Sequence, residues 1–280
     1  MEVFTENKTL AAALDPYRGS KKIGLVPTMG ALHEGHLSLV RIASNDNDLV
    51  VVSIFVNPTQ FNNKGDLINY PRTLEKDVLL LKTLQANVVV YAPEVSELYG
   101  SKITSKKYNF GAIAKEMEGK HRTGHFDGVG TVVALLFKAV QPNSAYFGEK
   151  DFQQLQIVKK MTAIEKLPVE IIGCPIVRES SNLAMSSRNK RLTPKELEAA
   201  TIISKSLALA ARYFQEKSIS QINAMVANCF KDSILKLEYF EIANEKTLKP
   251  TLRKQKGISY RCFIAAFVGE VRLIDNQKLN

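Results

Sequence analysis

Two histidines, His33 and His36, lie where the sequence passes from a strand pattern into a helix pattern. The apolar run at residues 23–26 predicts a buried parallel strand, and the spacing of apolar residues at 37–43 predicts one face of a helix. A helix start leaves backbone N–H groups unpaired and carries partial positive charge, so it attracts phosphate. Both imidazoles, with Gly35 leaving room between them, could therefore bind a phosphate group. The alternative is one buried structural histidine and one surface histidine.

Two further strand patterns end in polar groups that could contact a ligand. The continuous β-branched run at residues 49–56 predicts a central strand covered on both faces, and residues 144–147 predict a short strand that opens into a helix. Open α/β sheets bind ligands beyond the carboxyl ends of their strands. We therefore expect the polar residues that follow these two strands at one edge of the sheet. They are Asn57, Gln60, Lys150, Asp151 and Gln154.

The elements that must position these residues alternate between strand and helix. Further strands are predicted at residues 88–91 and 169–172, and residues 119–130 are predicted to form a glycine-rich basic loop. Helical spacing recurs at residues 7–18, 72–85, 111–118 and 131–140. Such alternation predicts an α/β fold with a doubly wound parallel sheet and right-handed crossovers.

The C-terminal part of the sequence has a different pattern. Two long helical patterns, at residues 194–215 and 219–236, come before three strand-like segments, at 239–242, 262–268 and 271–274. Helices followed by strands predict an α+β arrangement. We therefore predict two domains, residues 1–176 and a smaller domain of residues 177–280.

Composition limits the possible functions. A chain of 280 residues with 45% apolar and 24% charged residues can bury a sizeable core, which excludes a disordered protein. Its three cysteines are far apart, which argues against a disulfide framework or a cysteine zinc site. No apolar run reaches the ~18 residues that span a bilayer, and the first residues lack signal-peptide features. We therefore expect a cytoplasmic location and no membrane partner.

The net charge of +10 suits either nucleic acid or a polyanionic small substrate such as a nucleoside triphosphate. The tight basic clusters are lysine pairs without interleaved aromatic residues, so an RNA- or DNA-binding protein is a less favoured alternative. Another alternative is a zinc protein whose ligands are His33, His36, His121 and His125. Only Glu34 and Asp127 join those histidines as acidic residues, and no cysteine does, so this alternative is also less favoured.

Taken together and in order, the polar motifs resemble the pantoate–β-alanine ligase (pantothenate synthetase) family. They are Pro-Thr-Met-Gly-Ala-Leu-His-Glu-Gly-His at residues 27–36, Phe-Val-Asn-Pro-Thr-Gln-Phe at 55–61, Arg-Thr-Gly-His-Phe-Asp-Gly-Val at 122–129, Gly-Glu-Lys-Asp-Phe-Gln-Gln at 148–154 and Met-Ser-Ser-Arg-Asn at 185–189. The likeness is close over residues 23–192, and beyond them it is one of length and general pattern.

The resemblance implies an enzyme of the nucleotidyltransferase superfamily, related to class I aminoacyl-tRNA synthetases. Its first domain would be Rossmann-like, and a smaller C-terminal domain would close over the site. Members are cytoplasmic homodimers that use ATP and Mg²⁺ to condense (R)-pantoate with β-alanine, with no nucleic acid as partner. The products are pantothenate, AMP and pyrophosphate, and the reaction passes through a pantoyl-adenylate.

The same resemblance assigns roles to matching residues. Gln60 would bind pantoate and lie near β-alanine, Gln154 would bind pantoate, and His36 would be the proton donor. The implied catalytic residues are His33, His36, Lys150, Ser186, Ser187 and Arg188. The implied ATP-binding residues are Met29, Gly30, Ala31, Leu32, His33, Glu34, Gly35, His36, Gly148, Glu149, Lys150, Asp151, Val177, Met185, Ser186, Ser187 and Arg188. Residues near the substrates with less defined roles are Asn57, Tyr70, Arg122 and His125. No protein side chain is assigned to Mg²⁺, which enters with ATP.

Two stretches depart from the family pattern. Ser181 and Asn182 stand where the family has aspartate and glycine, and Arg191 replaces a usual aromatic residue. Asparagine adopts the left-handed backbone conformation that glycine supplies, so we expect the turn to survive. The missing aspartate bears on the closing of the loop and not on the reaction type.

Overall fold

A six-stranded parallel sheet dominates the N-terminal part of the computed structural model, which describes residues 1–62 and 64–280. Its strands are β1 (Val3–Phe4), β2 (Ile23–Thr28), β3 (Leu49–Ile54), β4 (Val88–Tyr91), β5 (Ser144–Gly148) and β6 (Glu170–Cys174). Their order in space is β1-β4-β3-β2-β5-β6, so the chain moves outward from β2 through β3 and β4, and later outward through β5 and β6. This order confirms the predicted doubly wound sheet. Its reversal point, where such sheets bind ligands, lies between β2 and β5.

Helices follow most of the strands. In chain order they are α1 (Asn7–Leu14), α2 (Glu34–Asp46), α3 (Lys64–Ile68), α4 (Leu74–Lys82), α5 (Val95–Tyr99), α6 (Glu118–His121), α7 (His125–Val140), α8 (Phe152–Ile164), α9 (Pro194–Ala200), α10 (Ile202–Tyr213) and α11 (Ile219–Phe230). The apolar face of α2 packs on the sheet, where Leu37, Val40 and Ala43 share a buried core with Val26 and Val50. Each large apolar side chain buried there contributes about 1.5–3 kcal/mol. This packing holds the start of α2 just beyond the end of β2.

The chain divides into two compact units that are interleaved along the sequence. Unit 1 consists of Met1–Phe110, Arg122–Glu149 and Gln154–Pro175, and unit 2 consists of Gly111–His121, Lys150–Gln153 and Ile176–Asn280. Unit 2 thus takes in two short segments from the N-terminal part of the sequence. The predicted division into functional domains after residue 176 stays a prediction.

Unit 2 has a three-stranded antiparallel sheet. Its strands are β7 (Lys236–Asn244), β8 (Tyr260–Val268) and β9 (Val271–Lys278), and they lie in that order. Ile203 and Leu207 of α10 and Val226 of α11 share one buried core with Ile264 of β8. The α+β arrangement predicted for the C-terminal part is therefore confirmed.

An ion-pair network fixes α6 within unit 2. Arg272 of β9 donates to both carboxylate oxygens of Glu118, at 2.8 and 2.7 Å, and also to Glu238 of β7. The Tyr239 hydroxyl donates to Glu118 at 2.7 Å. Burial raises the pKa of Tyr239 well above its ordinary value, so this hydroxyl keeps its hydrogen. Because removing one partner of such a buried pair costs about 3–5 kcal/mol, the network ties α6 firmly to the three-stranded sheet.

Two predictions for the middle of the chain are wrong. Residues 111–118 do not form one helix, since a 3₁₀ turn at Gly111–Ala114 is followed by α6. Residues 119–130 are not all loop, since α7 already begins at His125. Gly124, with φ of 77°, provides the left-handed residue before the helix. Gly128 and Gly130, which indicated a loop, thus lie inside α7.

The two long C-terminal helices are shorter than predicted. The pattern at 194–215 is divided into α9 and α10 at Thr201, whose backbone N–H and hydroxyl both bond to the carbonyl of Glu198 and close the last turn of α9. The pattern at 219–236 ends at Phe230, and Leu235 then donates to the Ser233 hydroxyl in a turn that leads into β7. Local side-chain hydrogen bonds to the backbone compete with a helix in this way.

Candidate active site

The turn between β2 and α2 holds the two predicted phosphate-binding histidines. His33 is the N-cap of α2, and its Nδ1 accepts a hydrogen bond from the backbone N–H of Gly35 at 3.1 Å. The Nδ1 of His36 accepts in return from the N–H of His33 at 3.3 Å. The two rings are tilted against each other, with centroids 4.1 Å apart. Imidazoles thus form a capping box of the kind usually made by a hydroxyl and a carboxylate or amide.

These two hydrogen bonds determine which ring nitrogen carries the hydrogen. A nitrogen that accepts has no hydrogen of its own, so each neutral ring carries it on Nε2. Protonation of either Nδ1 would break a bond that caps the helix. Nε2 is therefore the nitrogen that carries a hydrogen in each ring, at a helix start that favours phosphate.

A buried carboxylate shapes the turn that precedes His33. Asp77 of α4 accepts from the N–H groups of Ala31 at 2.9 Å and Leu32 at 2.7 Å, and from the Thr73 hydroxyl at 3.2 Å. Gly30 and Ala31 have φ angles of 81° and 50°. This left-handed region is open to glycine but is costly for Ala31, which has a Cβ. The bonds to Asp77 offset that cost. Asp77 was not predicted as a site residue, because an acidic residue in a helical pattern gives no signal that its partners are distant backbone groups.

Gln60 lies beside Met29, so two of the predicted motifs meet. Gln60 Nε2 donates to Met29 Sδ at 3.1 Å, and Gln60 Oε1 accepts from Asn57 Nδ2 at 3.0 Å. Asn57 is buried, and its Oδ1 accepts from the Tyr99 hydroxyl at 2.6 Å. Burial raises the pKa of Tyr99, so this hydroxyl stays a donor. Asn57 therefore orients the Gln60 amide, which keeps further donor and acceptor capacity.

The third motif holds the main chain of Gln60. The Gln60 carbonyl oxygen is 2.9 Å from His125 Nδ1 and accepts from Arg122 Nη2 at 3.4 Å. Because a carbonyl can only accept, His125 carries a hydrogen on Nδ1. Tyr70, also predicted near the substrates, is buried edge-on against Phe61, with ring centroids 5.7 Å apart. Asn57, Arg122 and His125 thus contact Gln60, and Tyr70 contacts the next residue, Phe61.

The two adjacent glutamines at the start of α8 have different surroundings. Gln153 is buried in unit 2, where its Nε2 donates to the carbonyls of Ile113 and Glu116 at 2.7 and 2.9 Å. Its Oε1 accepts from the N–H of Glu118 at 3.1 Å. The amide of Gln153 is therefore used in folding. Gln154 is half-buried in unit 1 and is left as the candidate substrate ligand.

Lys150 and Asp151 follow the end of β5 in a 3₁₀ turn, Glu149–Asp151. Gly148 and Glu149 belong to unit 1, whereas Lys150 and Asp151 belong to unit 2. Lys150 Nζ lies 3.4 Å from the Asp151 carboxylate, and its side chain is one-fifth exposed. A flexible ammonium of this kind can pair with a phosphate oxygen.

A tight turn in unit 2 joins two predicted nucleotide residues. Met185 N–H donates to the Val177 carbonyl at 3.0 Å. Asn182 has φ of 67°, which confirms the expected left-handed conformation at this departure from the family pattern. Arg178 donates to the Asn182 carbonyl and to the buried Asp275 carboxylate, the latter at 2.7 and 3.1 Å. Burial raises the pKa of Asp275, and the Arg178 guanidinium opposes that rise.

The two serines and Arg188 lie at the start of a 3₁₀ turn, Ser187–Arg191. Ser186 is its N-cap, with Oγ accepting from the N–H of Arg188 at 3.3 Å. Asn189 supports the turn by donating to the Ala184 carbonyl at 3.1 Å. A hydroxyl that accepts at its oxygen can still donate its hydrogen, so capping is compatible with a phosphate contact by Ser186.

The zinc alternative requires a cluster of ligands. Among residues 1–62 and 64–280, no group of three or more histidine, cysteine, aspartate or glutamate side chains could hold a metal ion. His121 stacks on Tyr239 in unit 2, with ring centroids 5.4 Å apart, whereas His125 contacts Gln60 in unit 1. The described part of the chain thus offers no ligand set for that alternative.

Among the same described residues, no helix has the length and apolar character needed to cross a membrane.

Comparisons with known proteins cover the whole chain. The model of the pantoate-β-alanine ligase family matches residues 2–278. A pantothenate synthetase of Christiangramia forsetii is 52% identical over 282 residues, which is 100% of both chains. The crystal structure of pantothenate synthetase from Thermus thermophilus is similar with a TM-score of 0.92 and 38% identity, and covers 100% of this chain and 99% of that chain.

A third relative was solved with ligands. The pantoate-β-alanine ligase from Francisella tularensis, complexed with beta-gamma ATP and β-alanine, is similar with a TM-score of 0.81 and 35% identity, covering 99% of this chain and 97% of that chain. Identities of this size over full lengths confirm the resemblance that the motifs indicated. The chain therefore belongs to the pantoate-β-alanine ligase family, the enzymes that join pantoate to β-alanine at the expense of ATP.

Proposed function

We propose that the chain condenses (R)-pantoate with β-alanine to give pantothenate, AMP and pyrophosphate, through a pantoyl-adenylate. The observation that carries this proposal is the capping box at the start of α2, in which His33 and His36 accept at Nδ1 and carry a hydrogen on Nε2. It lies in the motif that also contacts Gln60. The Francisella tularensis relative, complexed with beta-gamma ATP and β-alanine, supports ATP and β-alanine as substrates.

The first step activates the carboxylate of pantoate. A carboxylate oxygen attacks the α-phosphorus of ATP, a new P–O bond forms, and the bond to the bridging oxygen breaks so that pyrophosphate leaves with the electron pair. Because the carboxylate and the triphosphate repel each other, the site must supply hydrogen-bond donors and cations that are already in place. The proposed donors and cations are His33, His36, Lys150, Ser186, Ser187 and Arg188, with His36 as the proton donor.

The second step forms the amide. The amine of β-alanine attacks the acyl carbon of the adenylate, the bond to the AMP oxygen breaks, and the amine nitrogen loses a proton. This route needs no nucleophilic side chain. Burial raises the pKa of Cys174 to about 11 and that of Cys262 to about 12, so neither supplies a thiolate at neutral pH.

Neutral amides suit the pantoate site because they hydrogen-bond a carboxylate and hydroxyls without adding charge beside the reacting groups. Gln60 and Gln154 take this role, and Gln60 also lies near β-alanine. The surrounding residues Asn57, Tyr70, Arg122 and His125 complete the substrate site. The nucleotide is bound by the histidine turn at residues 29–36 and by Gly148, Glu149, Lys150, Asp151, Val177, Met185, Ser186, Ser187 and Arg188.

Gly128→Ala is expected to raise the KM for pantoate by about tenfold or more, since displacements on the order of 1 Å can cost up to ~10²-fold. A Cβ at Gly128 would lie 2.5 Å from the carbonyl oxygen of Thr59 and 2.9 Å from Cα of Gln60. These are backbone atoms, so either α7 or the 3₁₀ turn Pro58–Gln60 must move. Steady-state kinetics with pantoate as the varied substrate measures the effect.

Gly130→Ala is the matched control on the same helix. Its added Cβ would meet ring carbons of Phe110 and Tyr108 at 3.1 Å. These atoms belong to side chains and not to the backbone of Thr59 or Gln60. We expect a smaller change in the pantoate KM for this variant. Equal effects of the two substitutions would count against the close approach at Gly128 as the cause.

The proposal also includes the assembly and the metal. Mg²⁺ enters with ATP as part of the substrate, and the enzyme is a cytoplasmic homodimer. The motifs that the chain shares with its family support these statements. Metal dependence of the overall reaction and the mass of the protein in solution test them directly.

Isotope exchange tests the adenylate route. The enzyme with Mg-ATP, pantoate and labelled pyrophosphate is expected to return label to ATP in the absence of β-alanine, because reversal needs only the adenylate and pyrophosphate. Exchange should require pantoate. It should fall at least about tenfold in Lys150→Ala and in Arg188→Ala, since cations match the charge on the leaving pyrophosphate.

Lys159→Ala is the control for loss of positive charge. Lys159 is exposed on α8 and belongs to no proposed contact with ATP, so its exchange rate should match that of the unmodified enzyme. Pantothenate synthesis without any exchange would contradict a free-standing adenylate step. It would point to a concerted reaction or to pyrophosphate release that waits for β-alanine.

A further inference from the structure

Two successive residues of β9 contact two segments of unit 2 that are proposed to bind ATP. Asn276 Nδ2 donates to the backbone carbonyl of Lys150 at 2.9 Å. Asp275 accepts from both terminal nitrogens of Arg178, at the base of the turn that leads to Met185. Asn276 and Asp275 are only 1% and 3% exposed. Buried polar groups with such definite partners fix the positions of those partners.

The amide of Asn276 is itself held in one orientation. Arg261 of β8 donates from Nη1 to Asn276 Oδ1 at 2.6 Å, and its Nε and Nη2 donate to Glu245 at 3.0 and 2.8 Å. The Arg261 guanidinium also lies 4.0 Å from the centroid of the Phe152 ring. A guanidinium can only donate, so the amide oxygen must face Arg261 and the amide nitrogen must face Lys150.

We infer that Asn276 is a positioning residue that sets the backbone of Lys150 so that its ammonium reaches the ATP phosphates; this rests on the proposed role of Lys150 in ATP binding. A lysine side chain is a flexible four-carbon stem with a point charge at its end. The direction of its backbone therefore decides which positions the charge can occupy. Asp275 adds to this control, since its carboxylate interacts electrostatically with Lys150 as well as with Arg178.

Asn276→Asp removes the donation to the Lys150 carbonyl. Aspartate has nearly the same shape and still accepts from Arg261, but its carboxylate cannot donate to the Lys150 carbonyl and adds a negative charge beside Asp275. We expect the KM for ATP to rise by about tenfold, the value of one lost buried hydrogen bond, while the KM for pantoate stays within about twofold.

Asn280→Asp is the matched control. Asn280 Oδ1 accepts from the N–H of Tyr260 at 2.7 Å, and its Nδ2 donates to the carbonyl of Ile258 at 2.8 Å. The same substitution therefore also removes a side-chain donation to a carbonyl, here at an exposed residue. Neither partner belongs to a segment proposed to bind ATP. Both KM values should match those of the unmodified enzyme.

Combination with Lys150→Ala distinguishes positioning from a general structural role. The double variant has no ammonium to direct, so its KM for ATP should equal that of Lys150→Ala alone. Thermal unfolding of each variant reports its folding. Asn276→Ala, which removes the donation without adding a charge, repeats the comparison if Asn276→Asp does not fold.

Three results would overturn the inference: an unchanged KM for ATP in Asn276→Asp, an equal rise in the KM for pantoate, or full additivity with Lys150→Ala. If Lys150→Ala itself leaves the KM for ATP unchanged, the proposed role of Lys150 fails together with the inference. If Lys150→Ala raises it and Asn276→Asp does not, only the inference fails.

Discussion

Replacement of His36 by alanine is expected to lower turnover at saturating Mg-ATP by at least about a hundredfold. Its imidazole presents an Nε2–H donor at the start of α2, because Nδ1 is already used to cap the helix. Loss of one preorganised donor from a water-excluded site costs about 10²–10³ in kcat, or about 2.7–4 kcal/mol. The measurement is kcat of His36→Ala with all three substrates saturating.

His36→Glu separates this chemistry from the helix cap. Alanine also removes the acceptor for the N–H of His33, which costs about 0.5–2 kcal/mol of stability. A glutamate at this place in a capping box reaches back to the same N–H, so His36→Glu should unfold near the temperature of the unmodified enzyme. Its turnover should stay low, because an ionised carboxylate accepts hydrogen bonds but has no hydrogen to donate to a phosphate. Full recovery of turnover in His36→Glu would show that His36 serves only as a cap, and normal turnover in His36→Ala would remove it from the mechanism.

Asp77→Ala is expected to lower kcat/KM for ATP by about a hundredfold and the free energy of unfolding by about 2–4 kcal/mol. The carboxylate holds two buried N–H groups, those of Ala31 and Leu32. Without it these groups lose their charged acceptor, and the positive φ of Ala31 is no longer compensated. The turn that carries residues 29–33 should then relax away from the nucleotide. Steady-state kinetics and denaturant unfolding measure the two effects.

Glu75→Ala is the control for Asp77→Ala. Glu75 is an exposed acidic residue in the first turn of the same helix, so its loss reports only the interaction with the helix dipole, about 0.3–1 kcal/mol. Asp77→Asn keeps one oxygen but turns an NH₂ toward a backbone donor, and should be intermediate. A normal kcat/KM for ATP in a less stable Asp77→Ala enzyme would mean that the turn keeps its shape without the carboxylate.

Strands and the polar residues beyond them were predictable because each signal is local. Buried parallel strands are continuous apolar runs, and the predicted run at 88–91 coincides with β4. Pro58 then marks where β3 must stop, so Asn57 and Gln60 could be placed at the carboxyl edge of the sheet before any contact was known. The motifs indicated the family, because their residue types and order are specific together, although no single motif is specific by itself.

Residues that act on the backbone of distant segments were not predictable. Asp77 and Asn276 bind an N–H or a carbonyl, groups that every residue has, so no sequence pattern marks their partners. Gly128 stood in a recognised motif, yet residues 119–130 were predicted as loop. The structure places Gly128 inside α7, where the missing Cβ allows close approach to Thr59. A pattern alone does not distinguish a glycine that permits a turn from one that permits close packing.

The interleaving of the two units along the chain limits how this enzyme can be cut or recombined. Arg272 of unit 2 is neutralised by Glu118, which lies in a segment flanked in sequence by parts of unit 1. A fragment that starts at residue 177 would carry Arg272 and Tyr239 without that carboxylate, and Asn276 without Lys150. No single cleavage of this chain yields both units intact, so an exchange of its C-terminal half alone would separate residues of unit 2 from one another. A working chimera would have to bring the short segments Gly111–His121 and Lys150–Gln153 from the same parent as the C-terminal sheet.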